Sequence, residues 1–137
     1  MTLTAAAPLR RAAAGRRSAL LLSGVLATAG ALHFLRPEPF GAIVPRRLPG
    51  GPRLYTRLSG AAELACAAAV AVPRTRRLGG LATAGLFAAV FPANVQMAYD
   101  WRRAAPARRA VAWARLPLQL PLAGWALEVR RGAGEAR

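Results

Sequence analysis

Leu54 to Val72 is a mostly apolar run of nineteen residues with a single carboxylate, Glu63, at its middle. A helix of about 20 residues, rising ~1.5 Å per residue, covers the roughly 30 Å of a bilayer's hydrocarbon core. The run therefore predicts a membrane-spanning helix. A charge at the centre of such a helix is expensive, on the order of 2.5 to 3.5 kcal/mol for Asp on insertion scales, so it turns toward protein or a water-filled pocket. Other helices must shelter Glu63, and that requirement limits what the rest of the chain can build.

Three further runs can supply them. Residues 18–35 contain no Asp, Glu, Lys or Arg, residues 78–99 are uncharged throughout, and residues 111–127 form a fourth run interrupted by Arg115, Pro117 and Pro121. Proline removes a helical donor, which membrane helices tolerate where neighbours satisfy the freed carbonyl. The expected architecture is all-α, a four-helix transmembrane bundle over residues 18–129. A basic, flexible lead (residues 1–17) precedes it and a loose polar tail (130–137) follows. A rival reading of the first run is a cleaved secretory signal, with Arg16 and Arg17 ahead of it and Ala27-Thr28-Ala29 as the cleavage string.

Composition agrees with lipid. Of 137 residues, 55% are hydrophobic, which is high for a soluble domain of this size. The net charge of +15 would suit nucleic acid, but every basic residue is Arg, and these fall between the apolar runs rather than along one face. They read as membrane flanks, with the bilayer as partner and no nucleic acid. Missing Lys beside abundant Ala, Gly and Pro matches the coding bias of a GC-rich bacterial genome, so the expected location is the bacterial plasma membrane, multi-pass. Arginines divide ten against eight between the two sides, which barely favours cytoplasmic termini. Cys66 is the only cysteine, so there is no intrachain disulfide and no cysteine-based zinc site. No His-x-x-x-His pair, phosphate loop or catalytic triad is present, and no metal is expected.

The connection Arg36–Arg53 holds five prolines yet stays partly apolar through Phe40, Ile43 and Val44, so it is expected in the interface or across one end of the bundle. Trp113, Trp125, Tyr55, Tyr99 and Trp101 fit aromatic belts. Small pairs four residues apart, Gly24/Thr28, Ala27/Ala31 and Gly80/Ala84, would let backbones approach closely.

For up-and-down helices, depth from the face holding the first and third loops follows from ~1.5 Å per residue, placing Glu63 about 13 Å down and Gln119 about 12 Å down. His33 and Asn94 fall about 3 to 8 Å down, and Arg115 about 6 Å, with a side chain long enough to reach toward Glu63. Ser59 and Glu63 share a face at i, i+4. The candidate intramembrane polar pocket is therefore Glu63, His33, Asn94, Gln119, Ser59 and Arg115. In one reading Glu63 is a proton acceptor or ligand with His33 as its titratable neighbour. In the other these groups are interhelical hydrogen bonds that fix packing.

Several strings occur together in order: Gly30-x-x-His33-Phe34-x-x-Pro37-x-x-Phe40, Ile43-Val44-Pro45, Ser59-Gly60-x-x-Glu63, Pro73-x-Thr75-Arg76-Arg77, Phe91-Pro92-Ala93-Asn94-x-x-Met97 and Arg115-Leu116-Pro117-Leu118-Gln119. Over residues 18 to 127 the chain resembles the DoxX-like family of small bacterial membrane proteins. That resemblance implies a four-helix integral membrane protein, with some relatives tied to quinone-linked sulfur oxidation or to redox partner systems. The chain lacks the paired cysteines of thiol-relay relatives. Three functions stay open: an accessory, non-enzymatic component with membrane redox or envelope-stress partner proteins, a small proton-coupled transporter, and a quinone-interacting oxidoreductase subunit. No cofactor is expected outside the last of these, which would take quinone.

Overall fold

The computed structural model describes residues 6–135, in which all regular structure is helical. Four long helices, α1 (Ala6–Leu35), α3 (Gly51–Ala71), α4 (Arg76–Asp100) and α5 (Pro106–Glu135), are joined by the short α2 (Pro37–Gly41) and a 3-10 turn at Trp101–Arg103. Each long helix packs against its chain neighbours, and α5 returns to α1, closing an antiparallel ring. Within it, α1 pairs most extensively with α3, and α4 with α5.

The helices run past the apolar segments that announced them. The lead expected to be flexible over residues 1–17 is helical from Ala6 onward, and residues 1–5 lie outside the described part. The tail expected to be loose is helical through Glu135. The reason is propensity: Ala and Arg are among the best helix formers, so charge ends an apolar run without ending a helix. α3 starts at Gly51, ahead of Leu54, because Gly50 takes a left-handed φ of 89° and Pro52 sits in the first turn, where its missing N–H costs nothing. Pro106 opens α5 in the same way. α5 then continues through Pro117 and Pro121.

Two of the four expected spans, in the stretches Ala7–Leu35 and Arg76–Arg103, are long and apolar enough to cross a membrane by length and composition. α3 and α5 are not among them. α3 carries Arg53, Arg57 and Glu63, and α5 carries Arg115 and Gln119 among its prolines.

Packing at the crossings rests on glycine. A Cβ on Gly60 would lie 2.7 Å from His33 Cβ and 3.0 Å from the Gly30 carbonyl oxygen, so α1 and α3 touch backbone to backbone here. One end of α4 is seated the same way, Gly79 against the Ala69–Val70 backbone of α3 and Gly80 against Ala126 of α5. Of the small pairs singled out in the sequence, Gly80 marks a real contact, whereas Gly24 faces open space. One buried cluster, Ala19, Leu22, Leu26, Cys66, Ala67, Val70, Ala126 and Val129, fills the end nearer the α3–α4 turn. The Ala27-Thr28-Ala29 string lies inside α1, directly after these leucines. A second, Met97, Ala98 and Ala112, lies at the other end, where Ile43 from the long connection packs onto it.

Several hydroxyls are satisfied locally. Thr28, Thr56 and Thr83 each donate to the carbonyl one turn back. Ser23 donates to Ala67 O across the α1–α3 seam at 2.8 Å. Arg76, read in the sequence as a membrane flank, closes the end of α3, donating from Nε to Val70 O at 2.9 Å and from Nη2 to Ala71 O at 2.8 Å. Trp125 is not a simple interfacial anchor either: its Nε1–H donates to Ser18 Oγ at 2.8 Å and ties α5 to α1.

Candidate functional site

His33 comes from the last turn of α1 and Glu63 from the second half of α3, and they meet at 3.1 Å between Nδ1 and Oε2. The sequence placed them in separate layers, because depth there was counted along Cα atoms. Helical side chains slant toward their own N-terminus. α1 and α3 are antiparallel, with Gly30 facing Gly60 and Ser23 facing Ala67, so His33 slants into the interior while Glu63 slants out to meet it.

The imidazole is 8% exposed. Its Nδ1 is also 2.8 Å from the carbonyl of Ala29. A carbonyl can only accept, so Nδ1 carries a proton, and in the neutral ring Nε2 holds the free lone pair. Because that N–H is aimed at Ala29, Glu63 Oε2 has no hydrogen bond of its own and is fully buried. A buried acceptor without a bond is a rarity that calls for a cause. Phe40, from α2, stacks on the imidazole with ring centroids 3.8 Å apart and planes at 27°, fixing the ring from its other face. Arg115 of α5 acts on the Glu63 carboxylate through space.

The other candidates fall nearby without joining this contact. Asn94 and Gln119 are buried, at 3% and 9% exposure. Among the described residues neither amide makes a hydrogen bond, and Gln119, though read at the same depth as Glu63, does not bond to it. The α4–α5 register, set by Met97 and Ala98 against Ala112, puts Asn94 near the level of Arg115. Ser59 is half-buried one turn before Glu63 on α3. Cys66 is a buried free thiol within the apolar cluster. Among the described residues no group of three or more His, Cys, Asp or Glu is arranged to hold a metal ion.

A cavity of about 600 Å³ adjoins His33 at the loop end. Phe34 continues its α1 wall, α2 contributes Pro37, Glu38 and Gly41, and the first turns of α3 contribute Arg53, Thr56 and Arg57. The sequence did not mark this space, because its floor depends on how α2 folds back over α3. The one available signal was Arg53 and Arg57 at i, i+4, which share a helix face.

An all-helical chain with leucine-rich outer faces, an imidazole–carboxylate contact between two helices and a cavity opening beside it defines a class: a helical protein with an interior polar site. The sequence profile of the family described as Domain of unknown function (DUF8561) matches residues 22–130. The chain belongs to that family. No curated protein and no solved structure matches it.

Proposed function

We propose that the chain is a multi-pass protein of the bacterial plasma membrane, a four-helix transmembrane bundle of the DoxX-like kind, with His33 and Glu63 as its proton- or ligand-accepting site. In this reading it is an accessory, non-catalytic component of a membrane redox or envelope-stress system. The observation that carries the reading is the 3.1 Å His33–Glu63 contact, whose carboxylate oxygen is buried and lacks a hydrogen bond. An ionisable group at membrane depth is costly, is held facing protein or water, and marks a proton or substrate path more often than a packing device.

The bilayer is supported by what the helices turn outward. Only 28% of the apolar stretch of α1 and 22% of that of α4 is buried within the protein, whereas the core helix of a water-soluble domain would be mostly covered. Leu21, Leu32, Leu58, Leu81, Val95 and Leu120 all face out. So much exposed apolar surface on every long helix suits acyl chains rather than water. α3 and α5, the more polar helices, would cross with Glu63, Gln119 and Arg115 turned inward.

Fractionation tests the first half: the protein should stay in membranes after an alkaline carbonate wash, and recovery in the supernatant would end the proposal. Purification in mild detergent tests the second half, with a co-purifying redox or stress-system protein as the expected result and a strictly solitary chain as the contrary one. A second reading, a small proton-coupled transporter, is favoured by the cavity that reaches His33. Proteoliposomes loaded with a pH-sensitive dye would show proton flux that Glu63→Gln abolishes, and flux unchanged in that variant would exclude transport through this pair.

A further inference from the structure

We propose that the cavity at the loop end binds an oxyanion, a phosphate or carboxylate group, held by Arg53 and Arg57 of α3. This deepens the reading above, since His33 lines the same cavity, but the anion's contacts are made by the two arginines and not by the His33–Glu63 pair.

The case begins with a conflict in the local sequence. Arg53 and Arg57 lie one turn apart on one face of α3, where like charges repel. They also occupy the first two turns of that helix, where the backbone dipole is positive and cations are disfavoured. No acidic residue stands in that first turn and no side chain caps it. Three positive contributions thus converge with no counterweight in the first turn of α3 itself, and such disagreements between local preference and fold are characteristic of functional sites.

Nor are the two guanidiniums used elsewhere. Arg76 closes the end of α3, Arg102 lies over the Tyr99 ring at 3.9 Å, and Arg115 acts on Glu63. Among the described residues Arg53 and Arg57 have no carboxylate within ion-pair distance. Both, though exposed, line a half-open cleft of about 600 Å³, within the range of roughly 300 to 1,000 Å³ typical of small-molecule sites. Glu38 is the one acid in that wall, so the cavity keeps a positive balance. Paired guanidiniums present planar forks that match the oxygens of phosphate and carboxylate. Phe34 and Pro37 give the space an apolar side, which suits a ligand with a charged head and a greasy body.

Such a head could belong to a lipid or to a soluble molecule, and one assay separates the two. The full chain in uncharged detergent is titrated by thermal unfolding with inorganic phosphate and, separately, with dioctanoyl phosphatidylglycerol, with sodium chloride matching the ionic strength. The expected result is a saturable rise in Tm that chloride does not reproduce, with apparent affinity at least tenfold weaker in Arg53→Gln/Arg57→Gln. A response to phosphate supports a soluble anion, and a response to the lipid alone supports a headgroup. Removing two like charges from a helix start should leave the unliganded variant as stable as the parent, so loss of the shift would report binding and not unfolding. Absence of a saturable shift with either probe, or an undiminished shift in the double variant, would overturn the proposal. Glu63→Gln in the same assay should keep the anion response within about threefold. If it does so while neither flux nor a partner is found, the function proposed above fails and the anion site stands.

Discussion

Glu63 reaches His33 across the seam between α1 and α3 because the two side chains slant toward each other from helices that run in opposite directions, closing to 3.1 Å. Paired this way, each group's surroundings depend on the other. A double-mutant cycle with His33→Gln and Glu63→Gln should therefore give a coupling energy of about 0.5–3 kcal/mol. Thermal or denaturant unfolding in detergent measures it, and additivity of the two single changes would mean that the contact is incidental.

Gly60 tolerates no side chain. Gly60→Val would drive its Cβ into His33 and the Gly30 carbonyl, both within 3.0 Å of the added atom, and overpacking of this kind costs about 1–3 kcal/mol. The matched control is Gly24→Ala, where a Cβ meets nothing within 4 Å and the gain in helix propensity should leave stability unchanged or raise it by up to ~1 kcal/mol. Equal Tm values for the two variants would contradict the crossing geometry.

Trp125→Phe removes the N–H that reaches Ser18 while keeping most of the ring, and should lose about 1 kcal/mol. Ser18→Ala should cost a similar amount by stranding the indole N–H, and the double change should cost little more than either alone. Trp125 emission offers an independent readout, since loss of the bond alters the environment of a half-buried indole.

Arg76→Gln should destabilise by about 0.5–1.5 kcal/mol, because two terminal carbonyls of α3 lose their donor. Arg76→Lys should not restore the loss fully, since one ammonium cannot reproduce the fork that spans Val70 O and Ala71 O. Faster hydrogen exchange confined to the last turn of α3 would locate the effect.

The helical character of the chain was legible in its apolar runs, and His33, Glu63, Asn94, Gln119 and Arg115 stood out because polar residues are scarce among so many alanines and leucines. Three things were not legible. Helix ends were misplaced where Ala and Arg continue a helix that hydropathy has stopped tracking, as at Ala6 and Glu135. His33 and Glu63 were read at different depths because Cα counting ignores side-chain slant. The work of Arg76, Trp125 and Phe40 was hidden because each acts on a residue of another helix or of a turn: Arg76 on the end of α3, Trp125 on Ser18, and Phe40 on the ring of His33. Of the four expected spans, α1 and α4 are long and apolar enough to cross a membrane, whereas α3 and α5 carry Glu63 and Arg115 within their apolar runs.

Where Gly30 meets Gly60, α1 and α3 come as near to each other as their backbones allow, with His33 and Phe34 on one side of the contact and Leu64 on the other. His33 and Glu63 each lie within a turn of that point, so the imidazole and the carboxylate take their spacing from the tightest fit in the seam. One added methyl group at either glycine is thus a change in the distance between an acid and a base.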